Sequence, residues 1–166
     1  MAARNKFALV AFLFAAICAA ARAQIFSAPA QSPAKAATVQ YLYPEQITAP
    51  AAQPTEVALH FRIASGYHIN SHQPKDTELV PTTITFPEES GVRLVSATYP
   101  PGVDFALPVD PTHPLSVYTG EFVIRARITV AAGSHLAEAK LRYQACDDRA
   151  CLPPKTITAP IEVVGK

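Results

Sequence analysis

The side chains best placed to do chemistry are two cysteines in the run Tyr143-Gln144-Ala145-Cys146-Asp147-Asp148-Arg149-Ala150-Cys151-Leu152-Pro153-Pro154. The intervening Asp147, Asp148, Arg149 and Ala150 suit a turn, and two sulfurs across a turn can meet the roughly 4.4–6.8 Å Cα separation of a disulfide. Pro153 and Pro154 stiffen the chain that returns from it. Two uses of such a pair stay open. A structural bridge is the default for an exported protein. Closing a loop of about six residues, however, constrains the unfolded chain by only about 2 kcal/mol, less than a link between distant strands. Exchange chemistry needs sulfurs that another protein's thiol can reach, and a short pair on a turn offers them. Asp147 and Asp148 disfavour a thiolate and Arg149 offsets them only in part, so the reduced pair suits an electron donor better than an oxidant.

Other chemistries find little support. Two thiolates need further ligands to hold a metal, and His60, His68, His72, His113 and His135 show no ligand spacing with them. No Ser/His/Asp pattern or phosphate-cradling loop is present, so no metal, cofactor or small-molecule substrate is expected. The net charge of +1, without a long run of one sign, carries no footprint of a nucleic-acid partner.

The N-terminus points to a compartment. Arg4 and Lys6 precede an apolar run from Phe7 to Ala21, and Ala21-Arg22-Ala23 before Gln24 fits the small-x-small cleavage rule. At about 15 residues the run falls short of the roughly 20 needed to span a bilayer. Ile17, not a small residue, precedes Cys18, which argues against a lipoprotein signal. Residues 1–23 are therefore expected to be a signal peptide cleaved near Ala23, taking Cys18 with it and leaving Cys146 and Cys151 in an oxidising, periplasmic space. Residues 24–38, rich in Ala, Pro and Ser, bury too little apolar surface to order and read as a flexible leader. Residues 39–166 form one domain.

The elements that must position the pair are strands. In Glu56 to Ala64, Val57, Leu59, Phe61 and Ile63 alternate with polar side chains, and Phe122, Ile124, Ala126, Ile128 and Val130 repeat the pattern. Thr82 to Phe86, Val92 to Tyr99, Leu141 to Ala145 and Ile157 to Val163 are shorter candidates. With 16 Pro, 6 Gly and no sustained helical stripe after residue 23, the chain reads as all-β, an immunoglobulin-like β-sandwich, with a small barrel as the alternative. The Pro-rich stretch Pro100 to Leu115 reads as a long loop. Alternation puts Leu141, Tyr143 and Ala145 inward, so Cys146 is expected on the outward face at a strand end.

These motifs resemble the disulfide bond corrector family, the N-terminal periplasmic domains of DsbD-type thiol:disulfide interchange reductases. The resemblance rests on the cysteine run together with Gly66-Tyr67-His68-Ile69-Asn70-Ser71, then Pro74, Asp76 and Leu79, Pro81-Thr82 and Val117-Tyr118-Thr119-Gly120. It covers roughly residues 39 to 164. It implies an immunoglobulin-like fold with the cysteines on a hairpin at one end, passing electrons from a membrane-embedded reductant to oxidised thioredoxin-fold proteins that isomerise disulfides or serve cytochrome c maturation. Cys151 would form the mixed disulfide and Cys146 would resolve it. His68 and Asn70 would lie beside the pair, unless they are polar strand-end residues facing solvent. A cap loop with an aromatic shield would correspond to Pro100 to Leu115, with Phe105 as the candidate shield and Tyr118 as the second. The family's proteins continue into membrane and thioredoxin-like domains while this sequence stops at Lys166, so the reductant is expected on a separate chain, unless the cysteines no longer cycle. The competing reading is a non-enzymatic binding module with a structural disulfide.

Overall fold

Where one side chain in two is apolar, a strand can bury one face and wet the other, and the longest strands among the described residues are of this kind. The computed structural model describes residues 37–43, 46–108 and 110–166; the expected signal peptide, Cys18 and most of the leader lie outside the described residues. In chain order the strands are β1 (Val39–Leu42), β2 (Gln46–Ala49), β3 (Thr55–Ile63), β4 (His68–Asn70), β5 (Thr83–Thr85), β6 (Val92–Thr98), β7 (Val103–Leu107), β8 (Asp110–Tyr118), β9 (Glu121–Val130), β10 (Gly133–Tyr143), β11 (Ala145–Cys146) and β12 (Lys155–Gly165). A single turn of 3-10 helix, Glu88–Ser90, precedes β6.

Among the described residues the strands form three four-stranded sheets, with strand orders β1-β3-β9-β6, β2-β12-β10-β5 and β11-β4-β8-β7. All pairings are antiparallel except β2 with β12. The first two sheets are the sandwich. Val57, Leu59, Phe61 and Ile63 of β3 and Phe122, Ile124, Ala126, Ile128 and Val130 of β9 share one core with Ala137, Ala139 and Leu141 of β10 and Ala159, Ile161 and Val163 of β12. The fold is an all-β, immunoglobulin-like sandwich. Each fully buried Leu, Ile or Phe in that layer contributes about 1.5–3 kcal/mol relative to exposure.

The third sheet grows from one end of the sandwich, because its strands continue those of the other two. β3 leads into β4, β8 turns into β9 through Thr119 and Gly120, and β10 leads into β11. Gly120, at φ 61°, takes the left-handed conformation this tight return needs, and its carbonyl accepts the Ile63 N–H at 2.8 Å.

Pro100 to Leu115 is not a loop: β7 and most of β8 lie in it as a hairpin, with Val103 opposite Val117 and Phe105 opposite Leu115. Pro111 and Pro114 do not prevent this, because β4 pairs with β8 only at Val117 and Tyr118 and leaves the rest of β8 one open side. Proline is tolerated on such an edge.

Candidate functional site

The cysteine hairpin forms where β10 leaves the sandwich. β10 stays in register with β12 as far as Tyr143 opposite Lys155; Gln144 then steps out, and β11 pairs with β4 instead. Asp147 shapes the turn that follows. Its Oδ1 accepts the backbone N–H groups of Arg149 and Ala150, both at 2.8 Å, and these bonds hold its carboxyl below the usual carboxylate range. The Asp147 N–H donates to the Ala150 carbonyl at 3.0 Å and the Leu152 N–H to the Ala145 carbonyl at 2.8 Å. Cys146 and Cys151 thus sit opposite each other as a non-hydrogen-bonded pair, the closer of the two antiparallel spacings. They are joined by a disulfide with an S–S distance of 2.05 Å. Their Cα atoms are 3.9 Å apart, nearer than the spacing expected from sequence.

Strand register decides what surrounds the sulfurs. Cys146 is opposite His68, and Asn70 is opposite Val117, which in turn is opposite Val103. Directly opposed residues share a face, as do residues two apart. Cys146, His68, Asn70, Val117, Leu115, Phe105 and Val103 therefore lie on one face of the third sheet. The other face carries Ala145, Ile69 and Tyr118, all part of the main core. The sequence alternation holds, since Cys146 does oppose Ala145 in direction. Its consequence does not: Cys146 is only 2% exposed, because the outward face is covered in turn. Cys151, by contrast, is exposed.

His68 and Asn70 are not solvent-facing strand ends. Both are buried, His68 at 2% and Asn70 at 0% exposure. Asn70 Nδ2 donates to the Val80 carbonyl at 3.1 Å and approaches Gln144 Oε1 at 3.4 Å, while its Oδ1 has no partner. His68 Nε2 is likewise buried without a partner. Burial pushes the His68 imidazole below its ordinary 6.5, opposed by the nearby negative charges of Asp148 and Asp147.

Phe105 lies over His68, with ring centroids 4.3 Å apart and planes tilted by 34°. The strand carrying it is tied down beside it by an ion pair between Asp104 and Lys75 at 2.7 Å. A cleft of about 460 Å³ opens between this hairpin and the cysteine turn, lined by His68, Leu107, Leu115, Cys146, Cys151 and the turn residues 147–150. Asp148 is exposed on its rim.

Two tyrosines of the quoted motifs lie away from the pair. Tyr118, the second candidate for the shield, is a core ring stacked on Phe122 at 5.1 Å, with its hydroxyl accepting the His72 N–H and donating to the Pro100 carbonyl. Tyr143 is also in the core, its hydroxyl 3.1 Å from Thr38 Oγ1. Reading by sequence missed the apolar lining of Leu107 and Leu115; the alternation Val103, Phe105, Leu107 was the signal for it. It also missed Gln144, whose amide donates to the Leu152 carbonyl at 3.3 Å and so braces the hairpin's return. Among the described residues, no three or more His, Cys, Asp and Glu gather where they could hold a metal ion.

Residues 38–162 match the family model described as the N-terminal part of the thiol:disulfide interchange protein DsbD. Among solved structures, the chain is similar to the reduced N-terminal domain of Neisseria meningitidis DsbD, at 19% identity over 69% of this chain and 82% of that one, with a TM-score of 0.47. It is also similar to the N-terminal periplasmic domain of Proteus mirabilis ScsB, at 14% identity over 74% of this chain and 43% of that one, with a TM-score of 0.45. No curated protein matches it.

Proposed function

Because the chain belongs to the family of DsbD N-terminal domains, we propose that it relays electrons by thiol-disulfide exchange through Cys146 and Cys151 in the periplasm. The observation that carries this reading is the asymmetry of the bridge: Cys151 is exposed on a turn and Cys146 is buried behind it beside an open cleft.

That asymmetry divides the labour. In the reduced protein the Cys151 thiolate attacks one sulfur of a partner's disulfide, and the partner's other sulfur leaves with the bonding electrons. Cys146 then attacks the Cys151 sulfur, the internal bond re-forms, and the partner departs as a dithiol. Two electrons have moved outward. The partners are oxidised thioredoxin-fold proteins, including ones that serve cytochrome c maturation, and the pair is recharged by a membrane-embedded thiol reductant on a separate chain. Residues 1–23 serve as the export signal and residues 24–38 as a tether to the domain at 39–166. Phe105 acts as the shield that keeps small thiols from the site until a partner displaces it.

The burial of Cys146 is the one observation on the side of a structural staple in a binding module, and one experiment separates the two. A Cys146→Ser variant, reduced and mixed with an oxidised thioredoxin-fold protein, should accumulate a mixed disulfide at Cys151. A staple would give no adduct, and reduction of the wild-type bridge would cost stability and leave partner binding unchanged.

A further inference from the structure

We infer that His68 is the proton acceptor for Cys146, through an imidazole Nε2 that the fold buries without a partner on the strand opposite that cysteine. The inference rests on the exchange reading above and names the group that makes the resolving step run near neutral pH.

Three observations meet at this atom. His68 and Cys146 are direct register partners across β4 and β11, which places their Cβ atoms on one face about 4.5–5.5 Å apart. Both side chains are 2% exposed and line the same cleft. His68 Nε2 has no hydrogen-bond partner, although leaving a buried ring nitrogen unpaired is destabilising. The thiol formed when the bridge opens is a group of the right chemistry at the register position opposite His68.

The surroundings suit the acceptor role. β7 and β8 face the site with Phe105, Leu107 and Leu115, all apolar, and Phe105 covers the imidazole. The charged groups facing it are Asp147, Asp148 and Arg149 on the cysteine turn. Burial keeps the ring neutral, so its lone pair is free to take a proton, while the two carboxylates favour the imidazolium once it forms. The step balances without any further reagent. Cys146 Sγ–H gives its proton to His68 Nε2; the thiolate attacks Cys151 Sγ; the Cys151–partner bond breaks, and the partner's sulfur leaves as a thiolate that is then protonated from the imidazolium. The reduced pair can thus be stored as two thiols and still react quickly.

The test follows the resolving step alone. Reduced full-length chain treated with Ellman's reagent gives a mixed disulfide at Cys151 and releases a second thionitrobenzoate when Cys146 closes the ring. In the wild type the rate of that second release should rise with pH through the imidazole's titration, below the thiol range. In His68→Gln the rise should move to the thiol's own range near pH 8.5, with a loss of about tenfold or more at pH 7. Identical pH profiles for wild type and variant would overturn the assignment while leaving exchange intact; absence of a second release in the wild type would instead remove the exchange reading itself. Should His68→Gln not fold, the nitrogen-15 signal of His68 Nε2 in the wild-type chain decides. It should titrate at lower pH in the reduced than in the oxidised protein, because the Cys146 S–H then donates to the neutral imidazole, and an unchanged titration would refute the role.

Discussion

The rings of Phe105 and His68 lie with centroids 4.3 Å apart and planes tilted by 34°, although 37 positions (105 − 68) separate them in the chain, and this contact sets the β7–β8 hairpin against the residue opposite the buried Cys146. The hairpin of β7 and β8 is thus an edge of the sheet and, in the reading proposed above, the cover of the site. On that reading, how tightly it sits sets how fast the bridge can be reached.

Removing the cover's ring should speed access. Phe105→Ala is expected to raise the rate at which dithiothreitol reduces the bridge by severalfold or more. Because the ring is only half-buried, the loss of stability should be about 1–2 kcal/mol. Stopped-flow reduction and urea unfolding measure the two effects separately.

Stability should depend on pH through His68. Its folded-state pKa lies below the unfolded value of 6.5, so its full contribution is present above 6.5. That contribution is lost as pH falls from there through the folded pKa, because the unfolded chain binds the proton first. Denaturant midpoints between pH 7.5 and pH 5 should decline in the wild type, and the decline should be weaker in His68→Gln.

The turn should depend on one carboxylate. Asp147→Ala removes the acceptor for the Arg149 and Ala150 N–H groups, so exchange of those two amides with deuterium should accelerate while amides of β3 and β9 stay protected. In the wild type the same loosening should appear only as pH falls through the Asp147 pKa, which lies below the ordinary 3.8. Nuclear magnetic resonance resolves each amide.

Reduction should leave the fold standing. The bridge closes a loop of six residues, counting both cysteines across a sequence separation of 5, and such a loop is worth about 2 kcal/mol by chain entropy. Most of the sandwich core lies in other strands, so the reduced protein should keep its far-ultraviolet spectrum and melt only a few degrees lower.

The strands of the sandwich could be read from the sequence because each buries a single face, and strict alternation in β3 and β9 records that. The direction in which Cys146 points was legible for the same reason. What covers it was not. Burial of an outward face depends on a hairpin more than 30 residues upstream, and the prolines of that segment, Pro108, Pro111 and Pro114, masked the alternation of Val103, Phe105 and Leu107. His68 and Asn70 were placed beside the pair by resemblance alone; their burial follows from β4 being the central bridge between β11 and β8, a pairing no local pattern encodes. Tyr118 was the second candidate shield by resemblance, but its ring lies in the core, as does that of Tyr143, which alternation had already turned inward.

The central claim is that this bridge exists to be opened and closed, and its reduction potential tests that most directly. Equilibrated against a dithiol redox buffer, the Cys146–Cys151 pair should show a midpoint above about −300 mV, within reach of thioredoxin-fold partners. A midpoint well below that value would mark the bond as a permanent staple and contradict the account.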